Sequence, residues 1–371
     1  MSVTDPRILA INPGSTSTKF GLYENGALSR EWTLNHSEQE LEPFHSLPIL
    51  EQRSFRTALI LQKLEEEGIE TDSIDAFVGR GGLLPPMSSG TYRVNRVMLE
   101  ELRKAEKGEH ASNLGAIIAD ALAKSVGVEA YVVDPVSVNE RSPLARISGF
   151  NGIERGPFCH ALNSKAVAKR YALEHGKIYE QETLIVAHLG GGICISAHHE
   201  GQMVDVTDAS QEGPFSPERA GAVPALSLMK LCFSGQYSEG EVRQMLMGQG
   251  GIYSYLKTKD LREVISRMNE GDKKAEQIFH AMAYQIAKEI GAMAAALQGT
   301  VNAILLTGGM AHSELLIKTI RSYIEWIAPV HVYPGEEELV ALSEGAIRVL
   351  QGKEAVKALG ESSFIRCANQ L

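Results

Sequence analysis

Residues 7–26 read RILAINPGSTSTKFGLYENG, and the fold turns on how this stretch is divided. Residues 8–11 form an apolar run too short for a lone helix and suited to a buried strand. Asn12, Pro13 and Gly14 follow, then four hydroxyl residues, Ser15 to Thr18, then Lys19. A second apolar run, 20–23, leads to Asn25-Gly26, a strong hairpin signal between strands. A tight turn of Gly, hydroxyls and one Lys offers N–H groups, O–H donors and a compact positive charge, which suits a phosphate. Taken alone, the turn reads equally well as an ordinary polar hairpin.

The pattern returns in the second half. Residues 183–208 read TLIVAHLGGGICISAHHEGQMVDVTD. A strand at 184–187 reaches the turn Gly190, Gly191 and Gly192; a strand at 193–197 reaches Glu200-Gly201; a third at 203–206 ends at Asp208. Two strand–turn–strand–turn–strand units predict an internally duplicated architecture. Between and after them, strands and helices alternate. Helices are expected over 54–68, 98–105, 113–125, 159–174, 275–297, 313–327 and 339–350, and strands over 28–34, 74–78, 130–133, 303–306 and 330–333. That alternation predicts an α/β fold whose ligands bind at strand C-termini. Residues 139–158, rich in Pro, Gly, Asn and Arg, read as a crossing between domains.

Composition narrows the function. At 371 residues the chain has room for two domains. A net charge of -10 argues against a non-specific nucleic-acid binder. Cys159, Cys194, Cys232 and Cys367 are scattered with no C-x-x-C pair, so neither a zinc site nor a disulfide framework is expected. No apolar leader opens the chain, and the long apolar stretch 278–297 carries Lys288 and Glu289, so a cytoplasmic protein without a membrane span is expected. There is no P-loop, dinucleotide fingerprint, protein-kinase signature or H-E-x-x-H. Three Gly-rich strand ends remain, at 12–19, 190–192 and 307–309. The first two can oppose each other on a polyphosphate, and Gly308 and Gly309 can lie against a flat base.

INPGSTSTK, RGGLLPP, EGPFSPERAG and LTGGMAHS, with EHASNLGA, VVDPV, FCHALNSKAVAKR and YPGEEELVALSEGAIRVL, resemble the acetate kinase family over nearly the whole chain. The NPGSTSTK spelling and the length are most similar to its butyrate and branched-chain fatty-acid kinases. The resemblance implies two duplicated ribonuclease-H-like domains, the actin-like ATPase fold, with an interdomain nucleotide cleft. The first domain would be 1–150, completed by the helical segment 341–371, and the second 151–340. It implies ATP-dependent phosphorylation of a short-chain carboxylate such as butyrate or isobutyrate, reversible, with Mg2+ bound to ATP or ADP, in a homodimer or larger homo-oligomer.

Roles follow from the same resemblance. Arg80, Asp134, His160 and Arg219 match catalytic positions. Arg80 and His110 would hold the carboxylate. Asn12, Ser15, Ser17, Lys19, His188, Gly190, Gly191, Gly192, Gly308 and Gly309 would hold the nucleotide, and Asn12 with Glu337 the magnesium, with Glu336 and Glu338 as neighbouring acids. Acetate kinases carry Asn where Gly191 stands, GGIGEN where this chain has GGMAHS, and a longer segment around the second arginine. From the residues alone Arg219 reads equally as a surface arginine, Asp134 as a turn residue, and each histidine as structural. Two other readings stand beside the kinase. One is a nucleotide-dependent switch of the Hsp70 or actin kind. The other is a kinase for another small acceptor, such as acetate, propionate or a sugar.

Overall fold

The computed structural model describes residues 5–360. β1 spans Ile8–Pro13, β2 Ser17–Glu24, β3 Ala27–Asn35, β4 Ala76–Arg80, β5 Thr91–Arg93 and β6 Glu129–Val133. β7 spans Leu184–Leu189, β8 Ile193–His199, β9 Gln202–Val206, β10 Ala303–Gly308 and β11 Val330–Pro334; a two-residue β12, Lys357–Ala358, follows the last helix. The chain divides into two units. The first holds the residues up to Asn139 and those from Glu337 onward, and the second is Glu140–Glu336. The boundaries expected at 150 and 340 lie eleven and four residues beyond Asn139 and Glu336. Glu140 belongs to the second unit because its carboxylate accepts from Lys165 Nζ at 2.6 Å and from Met203 N at 3.0 Å.

In the first unit the sheet order is β12-β5-β6-β4-β1-β2-β3. β1, β2 and β3 run as an antiparallel meander, and β4 and β6 lie parallel to β1. The β2–β3 turn places Asn25 and Gly26 at φ 54° and 77°, both positive as a type I′ hairpin requires. Side chains alternate across the strands. Leu9, Ile11, Phe20, Phe77 and Val132 share a core with Ile60 and Leu64 of helix Arg53–Glu66 and with Leu114 and Ile118 of helix Asn113–Val126. The intervening residues, Ile8, Ala10 and Val78, face the other way, and helix Glu338–Leu350 packs on β1, β4 and β6.

The second unit repeats this plan. Its order is β11-β10-β7-β8-β9, with β7, β8 and β9 antiparallel and β10 and β11 parallel to β7. The β8–β9 turn puts Glu200 and Gly201 at φ 50° and 73°, the conformation of Asn25-Gly26. Ile185, Ala187, Ile195 and Leu306 pack against helices Lys273–Ala296 and Glu314–Ile324. Leu184, Val186 and Leu305 pack against Val167 and Tyr171 of helix Ala161–Glu174. The duplicated α/β architecture expected from the echo is present. The short strand β5 and four short helices between β9 and Lys273 come in addition: Ala225–Cys232, Glu239–Leu246, Gly251–Leu256 and Leu261–Asn269. No helix among the described residues is long and apolar enough to cross a membrane.

Candidate active site

The β1–β2 turn is built from below by an arginine. Arg56, fully buried on helix Arg53–Glu66, donates to Gly14 O at 2.8 Å, Ser17 O at 2.9 Å, Ser15 O at 3.0 Å and Thr18 Oγ1 at 3.0 Å. Gln52 Oε1 takes its remaining donors. Burial lowers the guanidinium to about 10. Gly14 N donates to Ser17 O at 2.8 Å, closing the turn. With its carbonyls tied to Arg56, the turn leaves Ser15 exposed and Ser17 half-buried. Asn12 and Lys19 are register partners across β1 and β2, so their side chains share one face, and Lys19 is exposed. The sequence reading missed Arg56, because an arginine on an amphipathic helix is ordinarily a surface residue.

Asn12 and Arg80 end adjacent parallel strands. Both meet Glu338, the first residue of helix Glu338–Leu350. Asn12 Nδ2 donates to Glu338 Oε2, and Arg80 Nη1 forms an ion pair with the same oxygen. Arg80 Nη1 also lies 3.5 Å from Asn12 Oδ1. A carboxylate at a helix N-terminus is favoured by the helix dipole. The acid beside Asn12 is thus Glu338. Glu337 stands one residue earlier as the helix N-cap, and Glu336 belongs to the other unit. Arg80 is seated by Gly79 and Gly115. A Cβ on Gly79 would fall 2.1 Å from Gly115 O, and one on Gly115 would fall 2.3 Å from Arg80 O. Only a glycine pair lets helix Asn113–Val126 lie this close to the end of β4. Asn113 then joins the loop after Arg80 to the loop carrying His110, accepting from Leu83 N at 2.8 Å and donating to Gly108 O at 3.1 Å. His110 itself is exposed, its Nδ1 at 2.8 Å from Ser112 Oγ. Asp134 ends β6 at φ 38°, buried, with Oδ1 accepting from Gly90 N at 2.6 Å. A non-glycine residue held at positive φ is a conformation that clusters at functional sites.

In the second unit, His160 precedes helix Ala161–Glu174 and stacks on His188 of β7, ring centroids 3.7 Å apart and planes 11° from parallel. His188 Nδ1 lies 2.8 Å from Asn163 Oδ1. Its Nε2 is 3.1 Å from Glu336 Oε1. Burial, and then the neighbouring His160, lower the His188 pKa. His160 Nδ1 and backbone N lie 3.3 and 3.4 Å from Cys194 Sγ. The turn of Gly190, Gly191 and Gly192 mirrors the first one, with Gly190 N donating to Gly192 O at 3.2 Å.

Arg219 reaches this glycine turn. A Cβ on Gly192 would fall 2.5 Å from Arg219 Nη1, so the guanidinium occupies the space a side chain would take. Ser216 fixes the approach: its Oγ donates to Gly191 O at 2.5 Å and accepts from Arg219 N at 3.1 Å. Gly308 exchanges backbone hydrogen bonds with Gly335, while Gly309 has open space where a side chain would be. A cavity of about 870 Å³ lies within this unit, lined by Gly190, Gly191, Gly309, His312 and Glu336, with Glu218 and Lys259 paired at 2.8 Å on its wall. That volume suits a nucleotide-sized ligand. No group of three or more His, Cys, Asp or Glu side chains among the described residues is arranged to hold a metal ion.

Known proteins resemble this chain in sequence and in fold. Residues 150–331 match the model of the Acetokinase family. The chain is 50% identical to Butyrate kinase 1 of Clostridium acetobutylicum over 95% of its own length and 99% of that protein. It shows the same identity and coverage with a protein of Clostridium botulinum strain Alaska E43 named "Probable butyrate kinase". Among solved structures it resembles acetate kinase of Porphyromonas gingivalis, with a TM-score of 0.75 at 19% identity, covering 93% of this chain and all of that one. A propionate kinase of Francisella tularensis gives 0.70 at 18%, covering 91% and 98%. The fold is therefore the actin-like ATPase fold of the acetate kinases. From the relatives it matches over nearly its full length, the chain belongs to the butyrate kinase family.

Proposed function

We propose that the chain transfers the terminal phosphoryl group of ATP to a short-chain carboxylate, butyrate or a branched relative such as isobutyrate. The products are the acyl phosphate and ADP, and the reaction is reversible and in-line. The observation that carries this reading is the placing of guanidinium groups at glycine-lined strand ends, Arg80 in one unit and Arg219 against Gly192 in the other. A carboxylate is already ionised at neutral pH and needs no strong general base, whereas two anionic reactants need cations. Phosphoryl transfer asks the protein mainly for positioning and charge stabilisation.

In this scheme Arg80 holds the substrate carboxylate with its planar fork, exchanging part of its contact with Glu338, and His110 borders that position. The 14–17 turn, with Ser15, Ser17 and Lys19, and the turn of Gly190, Gly191 and Gly192, with His188, hold the phosphates. Gly308 and Gly309 border the base. His160 and Arg219 meet the charge that develops on the transferring group, and Asp134 aligns it. Mg2+ on a nucleotide keeps several waters and takes one or two carboxylates, so it does not demand a preformed cluster. Asn12 with Glu338 or Glu337 supplies oxygen ligands of that kind, and the ion would neutralise phosphate charge. A homodimer or larger homo-oligomer in the cytoplasm completes the reading. Helix Ala225–Cys232 supports self-association, since none of its residues is buried and Leu226, Met229 and Phe233 beside it are exposed.

The test is acyl hydroxamate formation with Mg-ATP and, in turn, acetate, propionate, butyrate, isobutyrate and valerate. Butyrate or isobutyrate should give the highest kcat/KM. ATP binding without any acyl product would sink the kinase reading in favour of a nucleotide switch, and sugar phosphate without hydroxamate would point to another acceptor.

A further inference from the structure

The reading of His160 as a group that meets the phosphoryl charge leaves open what sets its orientation and charge. His188 and Cys194 are register partners across β7 and β8, so their side chains stand on the same face. The His160 ring lies on that pair, stacked on His188 and with its Nδ1 edge 3.3 Å from Cys194 Sγ. Cys194 is fully buried and receives more than this ring. The backbone N–H of His160 donates to the same sulfur at 3.4 Å, and the S–H of Cys159, also buried, bonds to it. A buried sulfur approached by two other donors acts as an acceptor, and the third partner, Nδ1, then carries a proton.

We propose that Cys194 is the positioning residue of His160: its sulfur holds the Nδ1–H edge, fixes the ring, and leaves Nε2 at the opposite edge as the group that meets the ligand. Cys194 does not touch substrate in this scheme. It does for His160 what a carboxylate does for other histidines, fixing the ring's orientation and which nitrogen faces the ligand. The Cys159 hydrogen bond, together with the charges of His160 and His188, draws the Cys194 thiol well below its ordinary range, and the same hydrogen bond and burial raise Cys159. Asp208 and Lys165, with Glu336 beside His188, are the other charged groups acting on this cluster.

The inference rests on the proposed role of His160 only where turnover is concerned, so the main readout is independent of activity. In the full-length protein with 15N-labelled histidine rings, the His160 signals are identified by their loss in His160→Gln. Wild type should show Nδ1 protonated throughout. Cys194→Ser keeps an acceptor at Nδ1 and should preserve that arrangement, whereas Cys194→Ala removes the acceptor and should let Nδ1 lose its proton in a measurable fraction of rings. An Nδ1 without its proton in wild type, or one that stays fully protonated in Cys194→Ala, overturns the proposal. Where Nδ1 is released, kcat for hydroxamate formation should fall in Cys194→Ala with KM for ATP unchanged, and recover in Cys194→Ser. A released Nδ1 with an unmoved kcat upholds the role of Cys194 and removes His160 from the chemistry.

Discussion

Replacing Gly115 by Ala tests whether the close approach of one helix sets the position of Arg80. The new Cβ would lie 2.3 Å from Arg80 O, 2.8 Å from Arg80 N and 3.1 Å from Arg80 C, where ordinary contact begins at 3.4 Å. The shortfall is about 1.1 Å, the difference between 3.4 and 2.3 Å. No flexible side chain can yield it, because all three of these neighbours are strand backbone, and β4 is paired on both sides by β1 and β6. Either helix Asn113–Val126 or the end of β4 must move by about that distance. Overpacking of this kind costs about 1–3 kcal/mol, set against up to about 1 kcal/mol gained from Ala over Gly within a helix. A displacement of about 1 Å at a group that positions substrate costs roughly 100-fold in rate. Gly115→Ala should therefore lower Tm by a few degrees and kcat/KM for butyrate by about two orders of magnitude, with ATP affinity less affected. Thermal unfolding and the hydroxamate assay read both. Gly291→Ala, inside helix Lys273–Ala296 where nothing lies within 4 Å, is the matched control. A Gly115→Ala protein with raised Tm and wild-type turnover would refute the steric reasoning, since the helix propensity gain would then act unopposed.

Other perturbations separate structure from chemistry in the same way. Arg80→Ala should abolish most turnover while ATP still binds, and should lose about 3–5 kcal/mol by stranding the buried Glu338 carboxylate. The double variant Arg80→Ala/Glu338→Gln should recover stability in urea unfolding but not activity, and recovery of activity would make Arg80 structural. Arg56→Met, which keeps bulk but removes every hydrogen bond to the 14–17 turn, should raise KM for ATP at least tenfold with little change in KM for butyrate. Equal changes in both would mean that the turn does not serve the nucleotide. His198 is fully buried between Tyr179 and Ser196, and burial takes it down to about 3 from 6.5. Above pH 6.5 neither state holds its proton. Below that the unfolded chain takes one that the fold refuses, so stability falls as pH falls, by about 2 kcal/mol at pH 5. His198→Gln should flatten the difference in urea midpoints between pH 5 and 7.5, and an unaltered slope would refute the assignment.

What could be read from the chain divides along physical lines. β1 to β3 and β7 to β9 were legible because buried strands announce themselves as short apolar runs and because Asn25-Gly26 and Glu200-Gly201 mark turns that need positive φ. β5 was missed: its three residues carry too little periodicity to register. The four short helices before Lys273 drew no expectation for the same reason. Within the site, residues on glycine-rich strand ends were visible, and so were the histidines. Residues that act through distant neighbours were not. Arg56 touches a turn some 40 positions away, Cys194 lies 34 residues from His160, and Ser216 sets Arg219 from within an unremarkable S-P-E-R run. The choice among Glu336, Glu337 and Glu338 was undecidable from order alone. Helix geometry turns consecutive residues about 100° apart, and only the start of helix Glu338–Leu350 shows which acid faces Asn12.

The division of the chain also fixes an order of assembly. The second unit is one continuous segment, whereas the first is interrupted, its sheet lacking helix Glu338–Leu350 until the last part of the polypeptide has been made. Domains usually complete themselves as they leave the ribosome, N-terminal first. Here that order is inverted. β1, β4 and β6 emerge early with one apolar face bare, and the unit that begins at Glu140 can finish before the one that begins the chain. Until Leu339, Leu342 and Ala346 arrive, Ile8, Ala10 and Val78 remain a sticky surface on a growing chain. Ribosome pausing or truncation between residues 300 and 340 should therefore produce aggregation of the first unit rather than a half-active enzyme.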